Sequence, residues 1–252
     1  MTSDIKPAFS TMDGPKGRIA YERLSANSKE PGVVWLGGYK SDMTGTKAAY
    51  LSDWAKVNDR AYLRFDYSGH GASDGAFEEG CISTWLADAV IALEQLTDGP
   101  QILVGSSMGA WIAAHLALKF PERIAGIVFI APAPDFTERL MYSSMDEDTK
   151  EALHRDGKIE EPTEYSDEPN IITLNLIEDG RNNLLMTGPI AITCPVRILQ
   201  GMADPDVPYR HALEFAEHLI TEDLEISLTK TGDHRLSTPE DLARLAAAIG
   251  SI

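Results

Sequence analysis

The chain has 252 residues, a formal net charge of −17 and a sequence pI near 4.7. This length can bury a full hydrophobic core, and α/β folds of this size commonly form a single domain. The negative average field repels phosphate backbones and anionic bilayers, so we expect no nucleic-acid partner, and no apolar run is long enough to predict a membrane span.

The N-terminal quarter predicts an edge hairpin followed by two buried strands. Residues 8–12 and 18–24 have strand character on either side of the turn residues 13–17. Residues 33–36 and 61–65 are short apolar runs, which are typical of strands covered on both faces. We therefore expect the hairpin at the margin of a sheet and the two apolar strands in its interior.

Each of these buried strands leads into a loop rich in glycine. Gly37 and Gly38 follow the first strand, and glycines at the carboxyl end of a strand let the backbone approach a ligand closely. The alternative is a plain turn that leads into a helix predicted over residues 46–57. The second strand leads into residues 66–75, where we expect His70 to organise the loop rather than to react.

The next segment carries the strongest functional signal of the chain. An apolar strand at residues 102–104 is followed by G-x-S-x-G at residues 105–109 and by an apolar helix at residues 110–120. This order is typical of a sharp strand-to-helix turn that exposes its central serine, whereas a chance match would be a solvated loop. The apolar flanks favour the first interpretation, with Ser107 as nucleophile and the backbone N–H of Met108 as an oxyanion donor.

The alternation of strands and helices continues to a strand at residues 124–130. It predicts an α/β fold with a doubly wound, mostly parallel twisted sheet and helices on both faces. The alternation then stops at residues 135–188, an acidic segment interrupted by glycine and proline, with a helical piece at 148–154 and an extended piece at 171–176. We expect one domain, residues 1–252, in which residues 135–188 are a cap insertion over the active site.

The sheet resumes with predicted strands at residues 196–200 and 224–228. Asp204 and His234 each lie on the loop after one of these strands, so we expect both at the carboxyl edge of the sheet, together with Ser107. A serine hydroxyl needs an imidazole to take its proton, and the imidazole needs a carboxylate to fix its tautomer. The three residues therefore predict a Ser-Asp-His triad.

Two other aspartates are alternative acids by position. Asp206 lies two residues beyond Asp204, and Asp135 follows an earlier strand. Asp204 is favoured because it fits G-x-x-D-x-x-V-P, a pattern of the α/β-hydrolase superfamily, which the whole chain resembles. That resemblance implies that the backbone N–H of Tyr39 is the second oxyanion donor. The motifs that carry the resemblance lie at residues 38–43, 105–111 and 232–237. We expect neither a cofactor nor a metal to take part, and the two cysteines, Cys81 and Cys194, lack the C-x-x-C spacing of a zinc site.

The same motifs resemble, more narrowly, the mycophenolic acid acyl-glucuronide esterase type, also described as a mitochondrial acyl-protein thioesterase. This resemblance implies a serine hydrolase that cleaves carboxylic ester or thioester bonds of small-molecule or acylated substrates through an acyl-enzyme. Residues 1–6 carry no apolar export segment and no recognisable transit peptide, so we expect a cytoplasmic location. The oligomeric state stays open.

Apolar side chains of the insertion indicate a pocket for an apolar acyl group, although each could instead only dock the insertion onto the core. The fold leaves two further functions open: an acyltransferase or C–C bond hydrolase, and a non-catalytic ligand-binding protein. The candidate pocket residues are Phe136, Leu140, Met141, Met145, Leu184, Leu185 and Met186.

Overall fold

The computed structural model describes residues 9–161 and 169–252. Residues 1–6, on which the expected location rests, lie outside the described residues, as does the first residue of the predicted hairpin. No helix within the described ranges has both the length and the apolar character needed to cross a bilayer.

The described residues form ten strands and seven α-helices. The strands are β1 (Ser10–Gly14), β2 (Gly17–Leu24), β3 (Gly32–Leu36), β4 (Tyr62–Phe65), β5 (Gln101–Ser106), β6 (Ile124–Ile130), β7 (Lys158–Glu161), β8 (Asn170–Thr173), β9 (Val196–Gly201) and β10 (Leu224–Thr229). The helices are α1 (Thr46–Val57), α2 (Ile82–Leu96), α3 (Met108–Lys119), α4 (Glu147–Asp156), α5 (Leu174–Arg181), α6 (Tyr209–His218) and α7 (Pro239–Gly250).

Eight of the strands form one sheet in the order β1-β2-β4-β3-β5-β6-β9-β10. β1 pairs with β2, and β2 with β4, in antiparallel fashion, and every pair from β4 to β10 is parallel. The prediction of a doubly wound, mostly parallel sheet is confirmed. β3, β5, β9 and β10 all end at one edge, and this edge carries the loops with the candidate functional residues.

Hydrophobic cores cover both faces of this sheet. Along β5, Leu103 belongs to the core beneath α2, α3 and α6, whereas Ile102 and Val104 belong to the core beneath α1 and α7. Successive side chains of a strand point to opposite faces, so a strand buried on both sides needs a continuous apolar run. This requirement explains why the interior strands could be predicted from short apolar segments.

The hairpin turn is tighter than the sequence predicts. β1 and β2 pair as far as Gly14 and Gly17, which leaves only Pro15 and Lys16 in the loop instead of a turn over residues 13–17. Gly17 has a φ of 125°, which a residue without a Cβ atom adopts at little cost. The two-residue loop extends both strands by one residue or more into the predicted turn.

The insertion, residues 135–188, lies between β6 and β9, and none of its described strands joins the main sheet. β7 and β8 form a separate antiparallel pair, and a small core of Met145, Leu153, Ile172 and Ile177 packs within the insertion. The prediction of an extended segment over 171–176 is wrong from Leu174 onward, where α5 begins. The Thr173 side chain accepts a hydrogen bond from the N–H of Leu176 and thereby caps this helix.

Candidate active site

Ser107 occupies the turn between β5 and α3 in a strained backbone conformation. Its φ of 54° and ψ of −117° are rare for a residue other than glycine. Backbone hydrogen bonds hold it there, since its N–H donates to the Ile130 carbonyl at 2.9 Å and its carbonyl accepts from Ala110 at 3.0 Å. Ser107 alone among residues 101–110 keeps partial exposure, so the turn presents this one serine at the edge of the sheet.

Glycines on either side of Ser107 allow three backbones to pack directly together. A Cβ atom at Gly105 would come within 3.0 Å of the backbone of Gly109 and Ala110. A Cβ atom at Gly109 would collide with the carbonyl oxygens of Leu36 and Gly37. The spacing of G-x-S-x-G therefore follows from the contact of α3 with β5 and with the end of β3.

Asp204 and His234 meet at the same edge of the sheet. The His234 Nδ1 lies 2.8 Å from the Asp204 Oδ2, and the Asp204 side chain is fully buried. The other oxygen, Oδ1, accepts from the N–H groups of Asp206 and Val207, each at 2.9 Å. An ionised Asp204 makes His234 Nδ1 the protonated nitrogen, which leaves the Nε2 lone pair free to accept a proton.

The two alternative acids have other positions. Asp135, with a φ of 57° and 1% exposure, accepts hydrogen bonds from the N–H groups of Leu185 and Met186, both at 2.8 Å. Its carboxylate therefore joins the start of the insertion to its end.

Asp206 lies close to the Asp204–His234 pair. One possible ligand atom each from Asp204, Asp206 and His234 lies within 4.8 Å of the others. Both Asp204 oxygens already accept hydrogen bonds, an arrangement that suits an acid–imidazole pair better than a metal site.

The glycine loop after β3 runs beside Ser107. A Cβ atom at Gly38 would lie 3.4 Å from the Ser107 Cβ and 3.3 Å from the Ser106 carbonyl oxygen. Among the residues that the structure describes, no acceptor is found for the N–H of Tyr39. Met108 is the first residue of α3, where N–H groups have no intrahelical acceptor. The two predicted oxyanion donors thus lie on segments that flank the Ser107 turn.

Two polar residues that were not predicted from the sequence form hydrogen bonds at the site. Gln200 is fully buried at the end of β9, and its Nε2 lies 3.3 Å from the Asp204 Oδ2. Lys47 of α1 donates to the carbonyl of Arg235, next to His234, and burial lowers the pKa of Lys47 to about 8 against the opposing charge of Asp233. A glutamine at the end of an apolar strand is a signal that the sequence shows. The sequence shows no such signal for Lys47, because its partner, the Arg235 carbonyl, is distant along the chain.

His70, which was predicted to organise its loop, and His115 of α3 both contact backbone carbonyls. His70 is 3% exposed, its Nδ1 lies 3.2 Å from the Ser68 carbonyl, and burial lowers the pKa of His70 to about 4. The His115 Nε2 lies 2.9 Å from the carbonyl of Asn183, and burial lowers its pKa as well. Both rings are neutral at pH 7 and donate to backbone carbonyls.

Comparisons with known proteins identify the family. Residues 48–155 match the family model described as the alpha/beta hydrolase fold. Over 235 residues the chain is 35% identical to the Mus musculus palmitoyl-protein thioesterase ABHD10, mitochondrial, a match that covers 93% of this chain and 78% of that protein. The chain belongs to the α/β-hydrolase family. The predicted resemblance to acyl-protein thioesterases is confirmed, and this α/β hydrolase cleaves ester or thioester bonds.

Solved structures agree with this assignment. A candidate hydrolase from Agrobacterium vitis S4 superposes with a TM-score of 0.93 at 47% identity, covering 97% of this chain and 98% of that one. The mouse alpha/beta hydrolase domain-containing protein 10 gives a TM-score of 0.89 at 34% identity, with 97% of each chain covered. The expected cytoplasmic location is contradicted, because the curated relatives carry mitochondrial names.

Proposed function

We propose that this α/β hydrolase removes apolar acyl groups, palmitoyl-type thioesters included, through an acyl-enzyme on Ser107. The observation that carries the proposal is the 2.8 Å contact between His234 and the buried Asp204, at the sheet edge where Ser107 occupies its strained turn. The mouse relative is named a palmitoyl-protein thioesterase, which supports the acyl class.

In the first half of the proposed reaction, the His234 Nε2 takes the proton of the Ser107 hydroxyl while Oγ attacks the acyl carbonyl carbon. The negative charge that develops on the carbonyl oxygen faces the N–H groups of Tyr39 and Met108 and the positive end of α3. The tetrahedral intermediate then collapses, the bond to sulfur or oxygen breaks, and His234 gives its proton to the leaving group.

In the second half, water replaces the leaving group. His234 takes a proton from the water, the resulting hydroxide attacks the acyl-serine carbonyl, and the same two N–H groups stabilise the second oxyanion. Collapse releases a carboxylic acid and restores the Ser107 hydroxyl. Asp204 stays ionised throughout and stabilises the imidazolium that forms in each half.

We further propose that the insertion is a cap whose apolar residues contact the acyl chain. Phe136 supports this role, because its ring lies edge-on to Trp111 of the α3 helix at 5.7 Å and to Tyr39 at 5.9 Å. Leu140, Met141 and Leu185 are only partly buried against the main core, which leaves apolar surface for a chain. Met145 instead packs in the insertion's own core and is assigned to docking.

A chain-length series tests the substrate class. We expect kcat/KM on p-nitrophenyl esters and acyl thioesters to rise from acetyl to octanoyl or longer chains, because each buried methylene contributes about 0.8 kcal/mol. Amides should be poor substrates, because the leaving nitrogen needs more exact protonation. A preference for acetyl over every longer chain would reject the apolar pocket, and amide turnover equal to ester turnover would reject the reaction class.

A further inference from the structure

Tyr39 belongs to the loop beside Ser107, yet its side chain is bonded to the insertion. Its hydroxyl donates to the carbonyl of Ile171 in β8 at 2.8 Å. The neighbouring Lys40 makes a second bond to the same region, from its Nζ to the Pro169 carbonyl at 3.0 Å. The loop that follows β3 is therefore tied to the start of β8 by two consecutive side chains.

The ring of Tyr39 is held on three sides. It packs edge-on against Phe77 at 4.9 Å, Trp85 at 5.9 Å and Phe136 at 5.9 Å between ring centroids. Burial raises the pKa of Tyr39 well above its usual range, so the hydroxyl remains a donor at every pH at which the protein can be assayed. The ring has little room to move unless Ile171 and Phe136, which both belong to the insertion, move with it.

The loop around Tyr39 is a tight turn. The Gly38 carbonyl accepts hydrogen bonds from the N–H and the hydroxyl of Ser41, at 3.2 and 2.8 Å, and Lys40 has a left-handed φ of 55°. Gly37 and Gly38 have no side chains, so Tyr39 supplies the first side chain that can anchor this loop to its surroundings. An oxyanion donor must be held close to its productive position, since a displacement of about 1 Å can cost roughly 100-fold in rate. The Tyr39 side chain is placed to supply that restraint.

We propose that Tyr39 is a positioning residue whose bond to Ile171 transmits the position of the insertion to the oxyanion loop. An acyl chain that contacts the insertion then orders the Tyr39 N–H, so chain length raises kcat and not only affinity. This inference rests on the proposed function and deepens it. Both acylation and deacylation pass through an oxyanion, so the effect acts on whichever step limits the rate.

Tyr39→Phe tests the coupling, because it removes one hydroxyl and keeps the ring. We expect the ratio of its octanoyl-ester kcat to its acetyl-ester kcat to fall about 10-fold relative to wild type, with KM little changed, as loss of one partly buried hydrogen bond predicts. Tyr62→Phe is the matched control, since the Tyr62 hydroxyl also donates to a backbone carbonyl, that of Ala48 at 2.9 Å, without touching the insertion. Its octanoyl-to-acetyl kcat ratio should equal that of wild type.

A Tyr39→Phe defect of the same size for both chains, a change in KM alone, or no change contradicts the coupling. If Tyr39→Phe does not fold, Lys40→Met provides the test instead, because it removes the hydrogen bond from the exposed Lys40 side chain to the Pro169 carbonyl. An unchanged octanoyl kcat in Lys40→Met contradicts the proposal. A wild type without hydrolytic activity refutes the proposed function and the coupling together. A wild type whose activity depends on Ser107 but whose variants show no chain-length effect refutes only the coupling.

Discussion

At Asp204, four donors converge on one buried carboxylate. His234 and Gln200 reach Oδ2, and the backbone N–H groups of Asp206 and Val207 reach Oδ1. Two of these donors belong to the loop of Asp204 itself, so this loop fixes the carboxylate independently of its contact with His234. Asp206 contributes its backbone N–H to this arrangement, which supports the choice of Asp204 as the acid.

Asp204→Asn should lower kcat by roughly 10⁴-fold, because an amide at this position favours the wrong tautomer of His234. Asp206→Asn and Asp135→Asn should keep most of the activity, since the backbone N–H of residue 206 is retained and an asparagine at 135 keeps one acceptor oxygen for the insertion. Steady-state kinetics on the three purified variants decide between the acids. An active Asp204→Asn enzyme beside a severely impaired Asp135→Asn enzyme would overturn the choice of acid.

Candidate site residues could be identified from the sequence where a motif or a loop position marks them. Ser107, Asp204 and His234 each follow a strand that the apolar pattern locates, and the fold brings the last two into contact. Gln200 stands out in the sequence only as a polar residue at the end of an apolar strand, and nothing in the sequence connects either Gln200 or Lys47 with its partner at the site. Their function depends on which backbone and carboxylate atoms the folded chain places beside them, and a single sequence does not specify such long-range partners.

Among the elements, the junction of β3, β5 and α3 sets the geometry of the site. Gly109 lies where α3 crosses the carbonyl groups of Leu36 and Gly37, and the Gly38 backbone lies against Ser107 on the same side. A movement of α3 away from β3 would therefore separate Ser107 and the Met108 N–H from the Tyr39 N–H, which lies on the loop after β3.

Gly109→Ala should destabilise the fold by about 1–3 kcal/mol, the usual cost of overpacking, even though alanine is the better helix former. Activity should fall with it, because α3 must shift away from the end of β3. Gly250→Ala is the control, since nothing lies within 4 Å of a Cβ atom there and it also lies in a helix. Urea denaturation gives the comparison: a Gly109→Ala midpoint and activity equal to those of Gly250→Ala would show that the close packing is not required.

Helices and strands differed in how well the sequence predicted them. The interior strands, α1 and α3 were predicted within one or two residues, because elements that are buried against the sheet carry a clear apolar pattern. The start of α5 was missed, because the alternation of apolar and polar residues over 171–176 fits a strand equally well. In the folded chain the Thr173 side chain accepts a hydrogen bond from the N–H of Leu176, and this cap marks the start of the helix.

On the scale of the whole molecule, hydrogen bonds connect the insertion to the elements beside Ser107. His115 and Trp111 of the α3 helix both donate to the Asn183 carbonyl, and the Tyr39 hydroxyl donates to the Ile171 carbonyl. Asp135 joins the two ends of the insertion to each other. The sequence predicts where the insertion begins and ends, but not this arrangement, since it depends on contacts between segments as many as 132 positions apart.

The central claim is that Ser107 forms the covalent intermediate. Reaction of the intact protein with an active-site fluorophosphonate, followed by mass measurement and peptide mapping, tests it most directly, because the reagent traps an activated serine hydroxyl whatever the natural substrate is. The account predicts one adduct per chain, on Ser107, which persists in Ser106→Ala and disappears in Ser107→Ala. An adduct on Ser106 or another residue, or equal labelling of Ser107→Ala and wild type, would contradict it.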